Sequence, residues 1–356
     1  MKTISVVMIV KNESKKLARC LSSVKDFANE IIIVDTGSDD DTKEIANSFN
    51  AKVFDFKWND DFAQARNYSI SKSTGDYNLI LDADEYVINY DMDELQRFMS
   101  NNRKLGKVKL INLFNNKDII DNEHIYITRF IPKGVFFARK VHEQVVSDMP
   151  RVNIPIEVKH DGYVDRDKTK FDRNINLLKL EIKNNPTEAY NYYQMAKELK
   201  GLKDYTEADF YYGKCYEMIK HSQSFYPDSI VDYLYNLINT KSFEQGLLVI
   251  SNEEKNLGSY PDFYFACGNF YMDLVLSNVT KYIQYFQLIE KSYLRCIEIG
   301  ETDKYTSVAG TGTFSALYNL GAFYESTGDV ENALNCYTLS SDYNYLPAID
   351  RLKVLK

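Results

Sequence analysis

Asp76-Tyr77-Asn78-Leu79-Ile80-Leu81-Asp82-Ala83-Asp84-Glu85 frames the reading of the whole chain. Its apolar centre, Leu79-Ile80-Leu81, has the length and flanks of a buried strand. Two carboxylates one residue apart close it. They therefore fall at a strand's carboxyl end, the edge where open α/β sheets bind ligands. Asp82 and Asp84 can face one divalent ion there, and Mg²⁺ or Mn²⁺ takes such oxygens together with substrate phosphates. An acidic pair alone is common on surface loops. This one follows a strand core and precedes Glu85.

The same grammar repeats toward the N-terminus. Ile4–Val10 and Glu30–Asp35 are continuous β-rich runs, and residues 52–56 form a shorter one. Helical spacing fills the gaps over residues 14–26 (Leu17, Leu21, Val24), 41–49 and 60–73. Strands alternating with helices predict a mostly parallel sheet covered on both faces. Residues 107–113, 125–131 and 135–139 read as an antiparallel extension. From about Lys168 the pattern turns helical and repetitive. Leu317, Leu320-Gly321, Tyr324, Gly328, Ala333 and Tyr337 fit a 34-residue helix–turn–helix template, as do Tyr192, Met195-Ala196, Leu199, Tyr205, Ala208 and Tyr212. Weaker copies lie around residues 234–246 and 264–271. The expected organisation is an α/β domain over residues 1–167 and an all-α TPR-like repeat domain over 168–356, with a generic helical bundle as the alternative for the second.

Composition agrees with two globular domains. The chain has 356 residues, 44% hydrophobic and 26% charged. A net charge of −8 argues against a general nucleic-acid binder. The N-terminal apolar run is short and meets Lys11, Glu13, Lys15 and Lys16, so it reads as a strand and not a signal peptide. No stretch has the length of a membrane span. Five scattered cysteines with no C-x-x-C pair read as thiols in a reducing compartment, giving an expected cytoplasmic location.

Further candidates share the carboxyl edge. Asp35 ends the second strand and can accept hydrogen bonds from a ribose or a base. Ser38 and Asp39–Asp41 read equally as helix caps. Lys11-Asn12-Glu13 follows the first strand; it either reads a nucleobase or simply starts a helix. Arg66 lies in a helical pattern, where it is either paired or, facing the edge, grips a diphosphate. His142-Glu143 is a candidate acid–base pair. His160 is either structural or an imidazole ligand to the same metal. No G-x-G-x-x-G or P-loop pattern occurs, and Gly310-Thr311-Gly312-Thr313 reads as a loop.

Together, Lys11-Asn12-Glu13, Val34-Asp35-Thr36-Gly37-Ser38-Asp39-Asp40-Asp41-Thr42, residues 62–67 and Leu81-Asp82-Ala83-Asp84-Glu85 resemble the family 2 glycosyltransferases of the GT-A fold. The order Val141-His142-Glu143, His160-Asp161-Gly162-Tyr163, Arg173-Asn174-Ile175-Asn176-Leu177 and then TPR-like helices is similar to the bacterial group that contains the sublancin-type glycocin S-glycosyltransferases. Those enzymes move a hexose from a nucleotide sugar to a peptide cysteine. The resemblance implies that Asp35, Asn12 and Glu13 hold uridine, that Asp82 lies near ribose and metal, and that Asp84 coordinates Mg²⁺ or Mn²⁺. It implies Arg66 on the nucleotide or phosphates and His160 completing the metal shell. It also implies inversion, which needs a base near the acceptor. Glu143 is the choice, His142 the second, because the Glu-Asp pair that supplies the base in many relatives is not evident here.

The expected function is metal-dependent, inverting transfer of a hexose or N-acetylhexosamine from a UDP-sugar (UDP-glucose or UDP-N-acetylhexosamine) to a peptide or protein Cys, Ser or Thr held by the repeats. The alternatives are a non-catalytic TPR scaffold with a relict nucleotide-sugar domain, and a transferase acting on a cell-surface saccharide. TPR surfaces often pair, so the repeats also admit a homodimer, which the sequence itself does not support. The acidity is uneven. Residues 1–170 carry 26 Lys+Arg and 27 Asp+Glu, whereas residues 171–356 carry 17 and 24. An acidic, Tyr-rich solenoid suits a basic or polar peptide.

Overall fold

The computed structural model describes every residue except 102, 117–118, 162–167, 303, 305–306 and 356, and describes only the backbone of 113–116, 119–123 and 168–170. It divides into two compact units, Met1–Leu177 and Leu178–Lys356. The first contains β1 (Ile4–Val10), α1 (Leu17–Val24), β2 (Glu30–Asp35), α2 (Thr42–Ser48), β3 (Lys52–Asp55), α3 (Phe62–Lys72), β4 (Tyr77–Ile80), β5 (Glu85–Tyr90), α4 (Met92–Ser100), β6 (Leu105–Asn116), β7 (Ile119–Pro132), β8 (Phe136–Ala138), β9 (Gln144–Val146) and β10 (Arg151–His160). The division falls within α5 (Lys168–Asn184), which the sequence pattern assigns wholly to the repeats.

Eight strands form one sheet in the order β3-β2-β1-β4-β7-β6-β10-β5. The four apolar runs of the N-terminal part pair in parallel. β7 is antiparallel to β4 and β6, β10 is parallel to β6, and β5 is antiparallel to β10. This is a GT-A-like arrangement, a parallel half carrying a mixed extension. β4, β6 and β10 therefore all end at the same edge as β1 and β2. One face buries Leu17, Leu21 and Val24 of α1 and Leu95 and Met99 of α4; the other buries Ala63 and Ile70 of α3 with Val135 and Phe137.

The structure differs from the sequence pattern in the extension. Among the described residues, 135–139 do not join the main sheet, and β8 pairs with β9 alone. β5, α4 and β10 escaped the pattern. β5 is a sheet edge whose last three residues are exposed, so its alternation is weak. α4 is set by its cap: Asp91 accepts from Glu94 N at 2.9 Å. Asp61 starts α3 in the same way, accepting from Gln64 N at 2.9 Å.

The second unit is all helical: α6 (Ala189–Gly201), α7 (Tyr205–Met218), α8 (Tyr226–Thr240), α9 (Phe243–Glu253), α10 (Pro261–Ser277), α11 (Val279–Tyr282), a 3-10 turn at Ile283–Tyr285, α12 (Phe286–Ile299), α13 (Phe314–Ser326), α14 (Val330–Ser341) and α15 (Leu346–Leu355). The pairs α6/α7, α8/α9, α10/α12 and α13/α14 occupy the four repeat positions. α11 with its turn, and residues 300–313, are the insertions that spread the spacing. The repeat glycines have a steric cause. A Cβ on Gly268 would lie 2.6 Å from the Tyr293 ring, and one on Gly321 would lie 2.9 Å from Tyr337. The aromatic side chain of the second helix needs the bare backbone of the first. The Gly310-Thr311-Gly312-Thr313 stretch is a loop, and Thr311 Oγ1 donates to buried Asp262 at 3.0 Å.

One polar group strains this unit. Asp228 of α8 accepts from Tyr260 Oη at 3.0 Å. Burial pushes its carboxyl up to about 7; Asp232 and Asp262 add to this, and Lys197 opposes it. A carboxyl raised in the folded state costs nothing below the unfolded value near 4. It destabilises progressively as pH rises from there to about 7 and fully above. The shift corresponds to at most about 4 kcal/mol, and partial exposure brings the expected figure to about 1–2 kcal/mol. Asp228→Asn keeps an acceptor for Tyr260. Its melting temperature should exceed that of the parent at pH 8, with the gain shrinking as pH falls toward 4.5. An equal difference at both pH values would refute this.

Candidate active site

The site grows from the carboxyl ends of β1, β2, β4 and β10. After β2, Asp35 turns back on its own chain. Its Oδ1 accepts from Gly37 N and Ser38 N, both at 2.8 Å, and Gly37 supplies the left-handed φ of 108° that this turn needs. Asp35 is 1% exposed, and its Oδ2 is buried with no hydrogen-bond partner. A buried carboxylate oxygen without a protein partner is one that a water, an ion or a ligand donor can satisfy. Lys43 Nζ lies 3.8 Å from Oδ1.

Asn12 and Glu13 lie beside it and tie the two loops together. Asn12, at φ 57°, donates its N–H to Ser38 Oγ at 2.9 Å and accepts from Asp39 N at 2.9 Å. Glu13 N donates to Thr42 Oγ1 at 2.8 Å, and its carbonyl accepts from Leu17 N at 2.9 Å as α1 begins. Asp40 accepts from Thr42 N and from Ser14 N, so it caps and staples at once. Asp41 occupies the N-cap position of α2 without a side-chain cap bond.

Asp82 and Asp84 lead different lives. Asp82 Oδ1 accepts from Arg66 Nη2 at 2.8 Å, and Oδ2 from Arg129 Nη2 at 2.9 Å. Arg66 also donates Nε and Nη2 to Glu143 Oε1, at 3.1 and 2.9 Å. Arg129 reaches Glu85 Oε1 at 3.2 Å, and Glu85 Oε2 accepts from Asp82 N at 2.8 Å. Burial works against the Asp82 charge, but the two guanidiniums outweigh it and hold the carboxyl well below the usual range. Glu85 is 2% exposed; there burial dominates and raises the carboxyl in spite of Arg129. Asp82 still keeps 34% of its side chain open, against 4% for Arg66 and 12% for Arg129. Arg66 Nη1 is buried without a partner.

Asp84 faces His160, with Oδ2 3.6 Å from Nε2, and Lys16 Nζ lies 3.9 Å away. His160 Nδ1 lies 2.9 Å from Asn112 Oδ1, a carbonyl oxygen that only accepts, so Nδ1 carries the hydrogen. Register makes this group: His160 sits opposite Asn112 on β6 and opposite Glu85 on β5. Burial lowers the proton affinity of His160, and Asp84 outweighs it and raises it. Burial likewise raises Asp84, and His160 outweighs that and lowers it. Among the described residues no group of three or more His, Cys, Asp or Glu side chains could hold a metal. Asp84 and His160 would offer a divalent ion one carboxylate oxygen and one imidazole nitrogen, the ring oriented through its second nitrogen.

The sequence candidates are mostly united here: Asn12, Glu13 and Asp35 in one cluster, Arg66, Asp82 and Glu143 in a second, Asp84 and His160 in a third. His142 adopts φ 51° at the turn before β9. Gly162 and Tyr163 lie outside the described residues. Arg129 and Asn112 were missed. Arg129 had a signal: it is a lone charge inside Ile125-Tyr126-Ile127-Thr128-Arg129-Phe130-Ile131. Asn112 had none.

Residues 5–147 match the model of Glycosyl transferase family 2. Over 319 residues the chain is 28% identical to the SPbeta prophage-derived glycosyltransferase SunS of Bacillus subtilis, covering 83% of this chain and 65% of that protein. A TPR repeat-containing protein of Synechococcus elongatus is 50% identical over 88 residues, 25% of this chain and 22% of that one. The chain thus spans less than two thirds of either relative. Glucosyl-3-phosphoglycerate synthase from Mycobacterium tuberculosis aligns over 31% of this chain and 44% of its own, at 23% identity and a TM-score of 0.26. Among the described residues no helix is long and apolar enough to cross a membrane.

Proposed function

We propose that the chain is a metal-dependent, inverting glycosyltransferase that moves a hexose or N-acetylhexosamine from a UDP-sugar to a peptide or protein side chain. The observation that carries this reading is the meeting, on one sheet edge, of a buried carboxylate with an unused oxygen (Asp35), a carboxylate–imidazole pair (Asp84, His160) and a buried guanidinium with a spare donor (Arg66). The similarity to SunS, named a glycosyltransferase, supports the same class.

In this reading Asp35, with Asn12 and Glu13 shaping its loop, receives the uracil or ribose. Arg66 offers Nη1 to the diphosphate. Asp84 and His160 would hold the metal, which neutralises the charge developing on the leaving UDP. The imidazole favours Mn²⁺ over Mg²⁺, because a nitrogen donor suits the softer ion. Asp82, with both oxygens on arginines, stands beside the metal set and serves the nucleotide sugar. The acceptor attacks the anomeric carbon opposite UDP, its proton passing to Glu143, with His142 as second choice. Both Arg66 bonds fall on Glu143 Oε1 and fix the orientation of its carboxylate. A thiol acceptor, with a pKa near ~8.5, needs less help from a base than a hydroxyl. All five cysteines are buried free thiols, in keeping with a cytoplasmic setting.

UDP release from UDP-glucose and UDP-N-acetylhexosamines, with Mn²⁺ and a Cys-containing basic peptide, tests the reading. Turnover should appear with metal and vanish with chelator. No turnover, together with no UDP binding by calorimetry, would favour the relict scaffold. The acidic repeats add a salt arm. KM for a basic peptide should rise about three- to tenfold between 50 and 300 mM salt, while that for the UDP-sugar moves less. A salt-independent peptide KM would defeat the electrostatic part.

A further inference from the structure

Arg129 enters the site through an irregularity in β7. Gly106 of β6 pairs with Phe130, and the next residue, Lys107, pairs with Thr128. Arg129 is therefore the extra residue of a β-bulge. Strict alternation would put it on the face of Ile125 and Ile127, which pack on the core beside α1 and α4. The bulge hands that place to Phe130, which is fully buried and stacks on Tyr77 with ring centroids 5.0 Å apart. Bulges re-aim side chains in this way. Here the released side chain bridges Asp82 Oδ2 at 2.9 Å and Glu85 Oε1 at 3.2 Å.

We propose that Arg129 is a positioning residue of the nucleotide-sugar site: together with Arg66 it clamps Asp82 and the 82–85 turn in the place from which Asp82 serves the donor. The inference rests on the glycosyltransferase reading above and adds to it the residue that holds this turn. Each Asp82 oxygen already takes one N–H from a guanidinium. A divalent ion on the same oxygens would have to displace a cation and sit against the other, which like charge opposes. Each oxygen keeps a second lone-pair direction that a hydroxyl can use, and Asp82 is the most open member of the cluster. Without Arg129, buried Glu85 and the more open Asp82 would lose the cation they share, and the 82–85 turn would lose its anchor to β7.

The test compares Arg129→Met and Arg129→Lys with the parent in three measurements. Hydrogen exchange over residues 80–87 in ligand-free protein should quicken about tenfold in Arg129→Met. Mn²⁺ affinity, followed by electron paramagnetic resonance, should stay within about twofold of the parent, as the ion has other ligands. Calorimetric UDP affinity in saturating Mn²⁺ should fall about thirtyfold, the effect of losing a held charged acceptor. Arg129→Lys, with one point charge in place of the fork, should fall between, and it decides the matter if Arg129→Met does not fold. Unchanged exchange, unchanged UDP affinity, or Mn²⁺ affinity lost in step with UDP in a folded variant would each overturn the proposal. The exchange arm needs no nucleotide. If the parent binds no UDP, the glycosyltransferase reading fails, and exchange alone still decides whether Arg129 holds the turn.

Discussion

Asp84→Ala is expected to lower sugar transfer at least about a thousandfold, some 4 kcal/mol of transition-state stabilisation, while leaving the fold intact. In the proposed site Asp84 supplies the one carboxylate oxygen of a two-donor metal set. Removing it leaves His160 alone, and a single imidazole cannot hold the ion against water. The structural cost is small. Lys16 lies 3.8 Å from Asp161 as well, and His160 keeps its contact with Asn112. The melting temperature should therefore stay within about 2 °C of the parent, and Mn²⁺ affinity should fall at least tenfold. Full residual transfer, or unaltered Mn²⁺ binding, would refute the metal role. Asp84→Asn sharpens the comparison, because it keeps the shape and removes the charge.

Arg66→Met is the substitution expected to cost the first unit most stability. Arg66 is 3% exposed and donates to both Asp82 and Glu143. Its loss leaves Asp82, Glu85 and Glu143 facing one cation, Arg129. Breaking a buried pair from one side costs about 3–5 kcal/mol, because the partner charge is left unmatched. For a unit of this size that lowers the melting temperature by roughly 10 °C. The sign of the pH dependence follows from Asp82. Its carboxyl is depressed in the folded parent, so the stability it contributes is present above the unfolded value near 4 and lost as pH falls below it. In Arg66→Met much of that contribution is gone, and the gap between parent and variant should stay wide from pH 8 down to about 5 and narrow as pH falls below about 4. Thermal unfolding at pH 7.5 and at about pH 3 measures both. A melting temperature within 2 °C of the parent at pH 7.5 would show that the network does not hold the unit together. Arg66→Lys should recover part of the loss, as it restores charge without the fork that reaches two carboxylates.

The two substitutions separate what the motif and the network each contribute. The D-x-D pattern reads as one metal-binding unit, since both carboxylates follow the same apolar strand. In the folded chain Asp84 turns to His160 and Asp82 to two arginines. Arg66 was legible as a possible phosphate contact because it belongs to the Phe62–Lys72 helix pattern near the edge. Its bond to Glu143, 77 residues away, was not. Asp35 was legible as a strand-end acceptor, and only the fold leaves one of its oxygens buried without a partner.

Local periodicity determined the parallel half of the sheet, the helical repeats and the positions of Asp35, Asp82 and Asp84 at strand ends. Burial of one face or one strand core is written residue by residue, with periods of 2 and 3.6. The spacing of small and aromatic residues likewise foretold the helix pairs, because Gly268 and Gly321 each admit a tyrosine ring from the second helix of their pair. The tertiary structure alone decided the mixed extension and the assembly of the site. Which strand lies beside β10, and in what register, sets His160 opposite both Asn112 and Glu85. A single extra residue in β7 turns Arg129 from the core to Asp82. Register is a property of two strands packed together, and a one-residue shift sends every side chain to the other face. No window along one strand carries that information, so the charges that meet around Asp82 are joined only when the sheet closes.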